Sequence, residues 1–495
     1  MTIHAERTLP ASSHSEPSKS PRIGLALPAL TALVVGSMIG SGIFALPSQM
    51  AGSAAPGPLL IGWGITGVGM LMLAFVFQGL ASRKPDVDGG VYGYARAGFG
   101  DYVGFTSAWG YWISAWVGNV GYLVLLMATL GTFFPAFEGG NTLVAILGAS
   151  AVLWIVHTLT LYGVKNAAFA NMLVTIAKVV PIVTFVAIAA VGFHAGVFTS
   201  DVWGHSAGLG TTLDQVKNMM LVTVWVFIGI EGASVYSKRA AKRQDVGRAT
   251  IVGFLGVLAL LLAVNLLSYG LMAQAKIAGL ADPSMAGLLK HEVGGWGSGF
   301  ISVGLAISLL GALIAWILLC VEILRLPALE NVLPRQLAAE NKHGAPSTAL
   351  WLTNLCVQAM LVWTLFNEST YTELIYLATS LILLPYLWSA LYQVKLTVTG
   401  ESYKQGYGGT AAGRVKDLVV GAVALGYAVW LVYAGGIDYL YIAALFYLAG
   451  TALFVWARRQ ADKSLFTRTE MALVGVVAAG SVAAVIGLVQ GWVQV

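Results

Sequence analysis

Long runs of apolar residues, separated by short polar segments, recur along the whole 495-residue chain. A run of roughly 20 apolar residues is long enough to cross a bilayer as an α-helix. The pattern predicts thirteen spans, at 25–48, 58–82, 103–134, 141–162, 168–193, 217–236, 248–274, 298–324, 348–367, 372–394, 415–434, 437–457 and 470–492. The predicted fold class is therefore an all-α polytopic membrane protein.

The first span is interrupted by small residues, because residues 36–47 read GSMIGSGIFALP. Each glycine weakens a helix by roughly 1 kcal/mol relative to alanine. Backbone that leaves its helix inside a bilayer must be buried in protein or line a wet cavity, and its free N–H groups can hold a carboxylate. On its own, this stretch fits a small-residue surface for close helix packing equally well.

The sixth span carries a second interruption, at residues 225–234, which read WVFIGIEGAS. Paired glycine-interrupted spans at matching places in two halves indicate an inverted repeat with the substrate site between them. The pairing predicts a five-plus-five inverted-repeat core with discontinuous helices 1 and 6. It favours a binding role for the first break, and a transporter over a channel.

The composition agrees with a membrane protein, since 58% of the residues are hydrophobic and only 10% are charged. Soluble domains carry about 25% charged residues. The net charge of +5 does not indicate nucleic acid, because most lysines and arginines lie in alternate short loops between spans. Such loops mark the cytoplasmic side. We therefore predict a lipid-embedded protein of the cytoplasmic (inner) membrane, with its N-terminus inside the cell and its C-terminus outside.

Three regions are predicted along the chain. Residues 1–22 are polar and rich in Ser and Pro, which is typical of a disordered tail, here on the cytoplasmic side. Residues 23–400 form the transport core of ten helices, and 401–495 form three peripheral helices. Cys320 and Cys356 both fall within apolar segments, so a disulfide framework is not expected.

Two charged residues stand out within the spans. A charge at the depth of Glu231 costs at least about 2.5–3.5 kcal/mol, so it should face a cavity or the protein interior. One role for Glu231 is to cap the second break by accepting backbone N–H bonds. The other is to bind a cationic substrate or a proton. Both roles could hold together, and we favour binding. Lys178 is either a cation fixed to carbonyls freed at the first break or a proton switch, and both readings stay open.

Aromatic and amide side chains cluster in the same spans. An aromatic face stabilises a cation by roughly 0.5–2 kcal/mol, although most membrane aromatics serve packing or interface anchoring. Trp225, beside the second break, is the strongest exception. Asn119 is either a substrate contact or a helix–helix hydrogen bond. The sequence holds no phosphate-binding loop, zinc-spaced cluster or nucleophile elbow, so we expect no enzyme activity, no cofactor and no metal.

With these residues in view, the chain resembles the amino acid–polyamine–organocation superfamily, and within it the basic amino acid/polyamine antiporters. The resemblance covers roughly residues 24–460. It rests on 37–44 (SMIGSGIF), 85–92 (PDVDGGVY), 225–231 (WVFIGIE), 315–316 (AW) and 333–334 (LP).

The resemblance implies an alternating-access exchanger and assigns roles to individual residues. It maps a carboxylate-binding motif onto 40–42, a stacking tryptophan onto Trp225, and a substrate- or proton-sensing acid onto Glu231. Lys178 resembles the lysine of sodium-independent relatives, and with Glu231 is predicted to act in coupling or gating. The predicted substrate-binding residues are Ser37, Ile39, Gly40, Ser41, Gly42, Asn119, Trp225, Ile228, Glu231 and Trp316.

This chain differs in two features from the arginine–agmatine exchangers, which have twelve spans and carry the same carboxylate-binding motif. The thirteenth span looks more like the arginine–ornithine antiporters and lysine permeases, and Ser37 stands where the exchangers have asparagine. We interpret the chain as a secondary active transporter that exchanges arginine for ornithine, with lysine as a further candidate substrate and a homodimer as a candidate assembly. The alternatives are a lysine permease or an arginine/agmatine or polyamine exchanger, and, from a different class, a channel or a sensor.

Overall fold

The computed structural model describes residues 27–162, 167–231, 243–367, 370–403 and 410–493. Within these ranges the chain forms helices joined by turns and short connections, with no β-strand. The prediction of an all-α fold is confirmed. The tail predicted at 1–22 lies outside the described residues.

The helices of the first half follow the predicted spans closely. They are α1 (Leu27–Met38), α2 (Leu46–Ser53), α3 (Pro56–Arg83), α4 (Val91–Phe99), α5 (Asp101–Gly131), α6 (Leu143–Leu161), α7 (Ala167–Val191), α8 (Ala195–Phe198) and α9 (Thr212–Trp225).

The second half continues with longer helices. They are α10 (Arg243–Leu271), α11 (Gln274–Ala278), α12 (Ser284–Val293), α13 (Gly295–Leu329), α14 (Ser347–Asn367), α15 (Tyr371–Thr399), α16 (Ala411–Ala434), α17 (Ile437–Gln460) and α18 (Arg468–Gln490). Eleven of the described helices are long and apolar enough to cross a membrane.

The first and sixth predicted spans are the two that do not form a continuous helix. In the first, α1 gives way to a 3-10 helix, Ser41–Phe44, before α2 begins. In the sixth, α9 ends at Trp225 and the chain continues in turns to Glu231, while 232–236 lie outside the described residues. Both predicted interruptions are present, whereas the count of thirteen spans and the inverted repeat stay predictions.

The core of the molecule is built around α5. Nearly every residue of this helix is buried, and it packs against α4, α13 and α15. At the periphery, α18 packs on α17 and is mostly exposed, as an apolar helix facing lipid would be. The boundary between a core at 23–400 and peripheral helices at 401–495 stays a prediction.

Ion pairs join the basic loops at one end of the helix bundle, which we call the basic end. Arg96 pairs with Asp101 and with Glu330, and Arg458 also binds Asp101. Arg83 binds Asp417 in the same way. Loops that follow four different spans therefore meet at one end, as the alternation of charge predicts.

Candidate substrate-binding site

The break between α1 and α2 exposes backbone groups in the middle of the molecule. The Gly40 N–H bonds the Met38 carbonyl 2.9 Å away, and Gly40 is extended, with φ −88° and ψ −176°. The helix then restarts at Ser41. Because the first amides of a helix have no acceptor within it, the N–H groups of Ser41 and Gly42 are available to a ligand. Both residues are buried.

The carbonyls on the other side of this break are held by Lys178. Its Nζ donates to the carbonyl of Gly36 at 2.8 Å and to that of Ile39 at 2.9 Å. Lys178 lies three residues before Pro181, inside α7. These bonds match the fixed-cation interpretation; whether Lys178 also exchanges a proton stays a prediction.

The indole of Trp225 lies directly on the first break. A methyl group on Gly42 would come 2.8 Å from its Nε1, and one on Gly118, in α5, would come 2.9 Å from its Cη2. Only glycine at both places leaves room for the ring in this position. Trp225 therefore bridges the α1–α2 break and α5, and the two predicted interruptions meet.

Three hydroxyl groups surround Trp225 on the side away from the basic end. The indole Nε1 donates to the Tyr371 hydroxyl at 3.3 Å, and the Tyr122 ring lies 5.9 Å away between centroids. The buried Ser41 hydroxyl faces both tyrosines, yet it forms no hydrogen bond of good geometry to any described residue. We call Trp225, Tyr122 and Tyr371 the aromatic layer.

Glu231 forms a second layer, nearer the basic end. Tyr111 donates to its Oε1 at 2.6 Å, Tyr386 to its Oε2 at 2.8 Å, and the Gly229 N–H to its Oε2 at 3.1 Å. Gly229 has φ +107°, a conformation that favours glycine. Glu231 thus caps the second break through the Gly229 N–H, which is one of its two predicted roles. It also joins α5 to α15. We call Glu231, Tyr111 and Tyr386 the carboxylate layer.

The region between the two layers contains polar atoms without partners. Asn119 is fully buried; its Nδ2 lies 3.7 Å from the Cys320 sulfur, while its Oδ1 has no partner among the described residues. Trp316 lies one turn before Cys320 on α13, on the same face, and is partly exposed. Buried polar groups are nearly always satisfied, so the Asn119 Oδ1 is suited to accept a hydrogen bond from a ligand or a water.

The other predicted site residues take more ordinary places. Ile39 contributes its carbonyl to Lys178, and Ile228 is buried in the turns after α9. The side chain of Ser37 lies outside the described residues. Two tryptophans of α5 that are not among the predicted site residues, Trp109 and Trp112, donate their indole N–H groups to the Phe446 carbonyl and the Thr353 hydroxyl, which fits a packing role.

Sequence reasoning missed the tyrosines of both layers. Tyr111, Tyr122, Tyr371 and Tyr386 are all buried, and a buried tyrosine hydroxyl needs a hydrogen-bond partner. This need for a partner is the feature by which the sequence could have pointed to these tyrosines. The residue that each hydroxyl meets depends on helix packing, which one chain's pattern of apolar residues does not contain.

The arrangement offers complementary groups for a zwitterion with a cationic side chain. Free amides at Ser41 and Gly42 suit a carboxylate. Aromatic faces and an anionic side chain suit a cation. Each layer also connects separate helices, the aromatic layer through the Trp225–Tyr371 bond and the carboxylate layer through the bonds to Glu231.

Comparisons with known proteins agree on one family. The sequence profile described as "Amino acid permease" matches residues 25–494. An arginine/ornithine antiporter of Pseudomonas aeruginosa is 55% identical over 94% of this chain and 98% of its own length. An L-lysine transport protein of Corynebacterium glutamicum is 43% identical over 93% of this chain and 94% of its own. An arginine/agmatine antiporter of Chlamydia felis is 38% identical over 91% and 93%.

Proposed function

The chain belongs to the amino acid permease family, and we propose that it exchanges arginine for ornithine by alternating access. It is a multi-pass membrane protein, as its many long apolar helices and its family require. Its relatives named above are transporters, and we propose that this chain, too, carries its ligand across the membrane unchanged and is not an enzyme.

The observation that carries the proposal is the seating of Trp225 on Gly42. This contact brings the free amides of Ser41 and Gly42, in the first break, close to the aromatic face of Trp225, beside the second break. A basic amino acid has a carboxylate for the first and a cation for the second. We propose that the Ser41 and Gly42 amides hold the carboxylate and that Trp225, Asn119 and Trp316 receive the cationic side chain.

We propose that the two layers act as alternate gates around this site. The carboxylate layer closes the route to the basic end, and the aromatic layer closes the route to the opposite end. Glu231 would release its tyrosines when a cation or a proton competes for its oxygens. Lys178 would keep the α1 carbonyls satisfied throughout, in place of a sodium ion.

We place the basic end in the cytoplasm, following the rule that basic loops stay inside. The N-terminus is then cytoplasmic, the membrane is the inner membrane, and the aromatic layer faces outward. Arginine and ornithine carry the same net charge near neutral pH, so a one-for-one swap moves no net charge. A homodimer stays a candidate assembly.

A panel of internal substrates tests the choice of substrate. Proteoliposomes would be loaded with ornithine, arginine, lysine, agmatine or putrescine, and the initial rate of labelled arginine entry measured. We expect the ornithine- and arginine-loaded vesicles to be fastest. A fastest rate with lysine would favour a lysine permease, and one with agmatine or putrescine would favour the other exchangers. Leakage through a channel would not saturate with arginine concentration.

A further inference from the structure

A carboxylate at the end opposite the basic end has no part in the exchange mechanism described so far. Asp282 lies between α11 and α12, and its Oδ1 is 3.5 Å from the Ser48 hydroxyl. That hydroxyl makes a shorter bond, 3.2 Å, to the Ala45 carbonyl. Because a hydroxyl has one proton to donate, Asp282 is poorly satisfied. Among the described residues, no lysine or arginine forms an ion pair with it.

Asp282 is shielded from bulk water but still accessible. Burial raises the pKa of its carboxyl to about 7, and the residue keeps some accessible surface. A shielded carboxylate that no lysine or arginine of the described residues pairs with is stabilised by any cation that can approach it. The Ser48 N–H also donates to the Ser284 hydroxyl, which holds the start of α12, two residues after Asp282, against α2.

A second acceptor belongs to Gln49, which follows Ser48 in α2. Gln49 is only 6% exposed, and its Nε2 donates to the Thr372 hydroxyl at 3.2 Å. Its Oε1 has no partner among the described residues. A buried acceptor left unsatisfied is unfavourable, so this junction of α2, α12 and α15 holds one acceptor without a donor, on Gln49, and one weakly bonded carboxylate, on Asp282.

The junction lies immediately outside the aromatic layer. Tyr371, which accepts the indole bond of Trp225, begins α15 and precedes Thr372. Asp282 is within electrostatic range of the Tyr371 hydroxyl. A substrate that approaches the site from this end therefore passes Asp282 before it meets Trp225.

We propose that Asp282 and Gln49 form an entry site that takes the guanidinium or ammonium group of a basic amino acid before the substrate passes the aromatic layer. Both groups present several N–H donors with a positive charge, which suits a carboxylate without an ion pair and an amide oxygen without a donor. The inference rests on the proposed exchange of basic amino acids, and it assigns their side-chain selection in part to the outer end.

The test compares Asp282→Asn with wild type on both faces of the membrane. Uptake by intact cells gives the KM for external arginine, and inverted vesicles give the KM from the cytoplasmic side. We expect the external KM to rise about tenfold and the internal KM to stay unchanged. Asp282→Glu, which keeps the charge, should retain the wild-type values, and Glu138→Gln, which removes an exposed acid from a loop at the same end, serves as the matched control.

Citrulline, the uncharged counterpart of arginine, separates a charge effect from a structural one. Its inhibition constant at the external face should be the same in Asp282→Asn and wild type. Equal loss of arginine and citrulline, a KM rise on both faces, or no external rise would each overturn the entry site while leaving the exchange intact. Absence of arginine transport by wild type would instead overturn the proposed function, and the entry site with it.

Discussion

At the scale of single residues, Glu231 is the link between α5, α15 and the second break. It accepts hydrogen bonds from two tyrosines on different helices and from a backbone amide. When Glu231 is ionised, its carboxylate is a charged acceptor, which makes these hydrogen bonds stronger than bonds between neutral groups. A residue that both caps a break and joins two helices can couple occupation of the site to helix movement.

Replacing Glu231 by Ala should abolish arginine exchange, and Glu231→Gln should reduce it. The alanine leaves two buried tyrosine hydroxyls and an amide without their acceptor, at a cost of about 1–3 kcal/mol each. Counterflow in proteoliposomes measures the loss, and gel filtration in detergent shows whether the variant is folded. Glu322→Gln changes an exposed acid on α13 and should be neutral. Near-normal exchange by folded Glu231→Ala would refute the assigned role.

Gly42→Ala should weaken substrate binding. The added methyl would meet the Trp225 indole nitrogen at 2.8 Å, and such overpacking costs about 1–3 kcal/mol. The KM for arginine should therefore rise about tenfold or more. Gly36→Ala, in the same stretch but with open space around the new methyl, is the matched control. Equal effects of the two substitutions would argue against the seating of Trp225.

At the scale of elements, the two interrupted helices complete each other. The first break supplies free amides, and the second supplies the tryptophan that covers them and the acid beyond. Lys178 donates to the carbonyls of Gly36 and Ile39 beside the first break, so three segments distant in sequence contribute to the proposed site. A broken helix in a membrane is stable only where its backbone groups find such partners.

Lys178→Met should lower the apparent melting temperature of the purified protein, because the carbonyls of Gly36 and Ile39 lose their donor. Each unsatisfied carbonyl costs about 1–3 kcal/mol. Lys217→Met, which removes a partly exposed lysine from α9, should leave the melting temperature nearly unchanged. A Lys178→Met protein as stable as wild type would contradict the fixed-cation role.

Lys178→Arg separates the fixed cation from the proton switch. Arginine keeps donors and stays charged at every accessible pH. If the lysine acts only as a fixed cation, this variant should exchange arginine with the wild-type dependence on pH. A pH profile that flattens in the variant would instead indicate that Lys178 gains and loses a proton during transport.

The positions of the elements could be predicted better than their contacts. Apolar runs gave the helices to within a few residues, and glycine with proline marked the interruptions, because both signals are local in sequence. The partners of Glu231 were not predicted, since Tyr111 and Tyr386 reach it from helices distant in sequence. Asp282 was missed for the same reason: only the folded chain brings its loop against α2.

At the scale of the whole molecule, charge and hydropathy determine how the chain sits in a membrane. Ion pairs gather the basic loops at one end, while α5 runs through the interior with both layers attached to it. The site lies between these layers, midway along the long helices. A carrier needs such a site, reachable from one face at a time.

The most direct test of the central claim is counterflow in proteoliposomes that contain only this protein. Labelled arginine would be supplied outside, with ornithine or only buffer inside. We predict rapid, saturable uptake with internal ornithine, little uptake without it, and no change when the membrane potential is clamped positive or negative, because the swap moves no net charge. Uptake that is equally fast in vesicles without ornithine would contradict obligatory exchange.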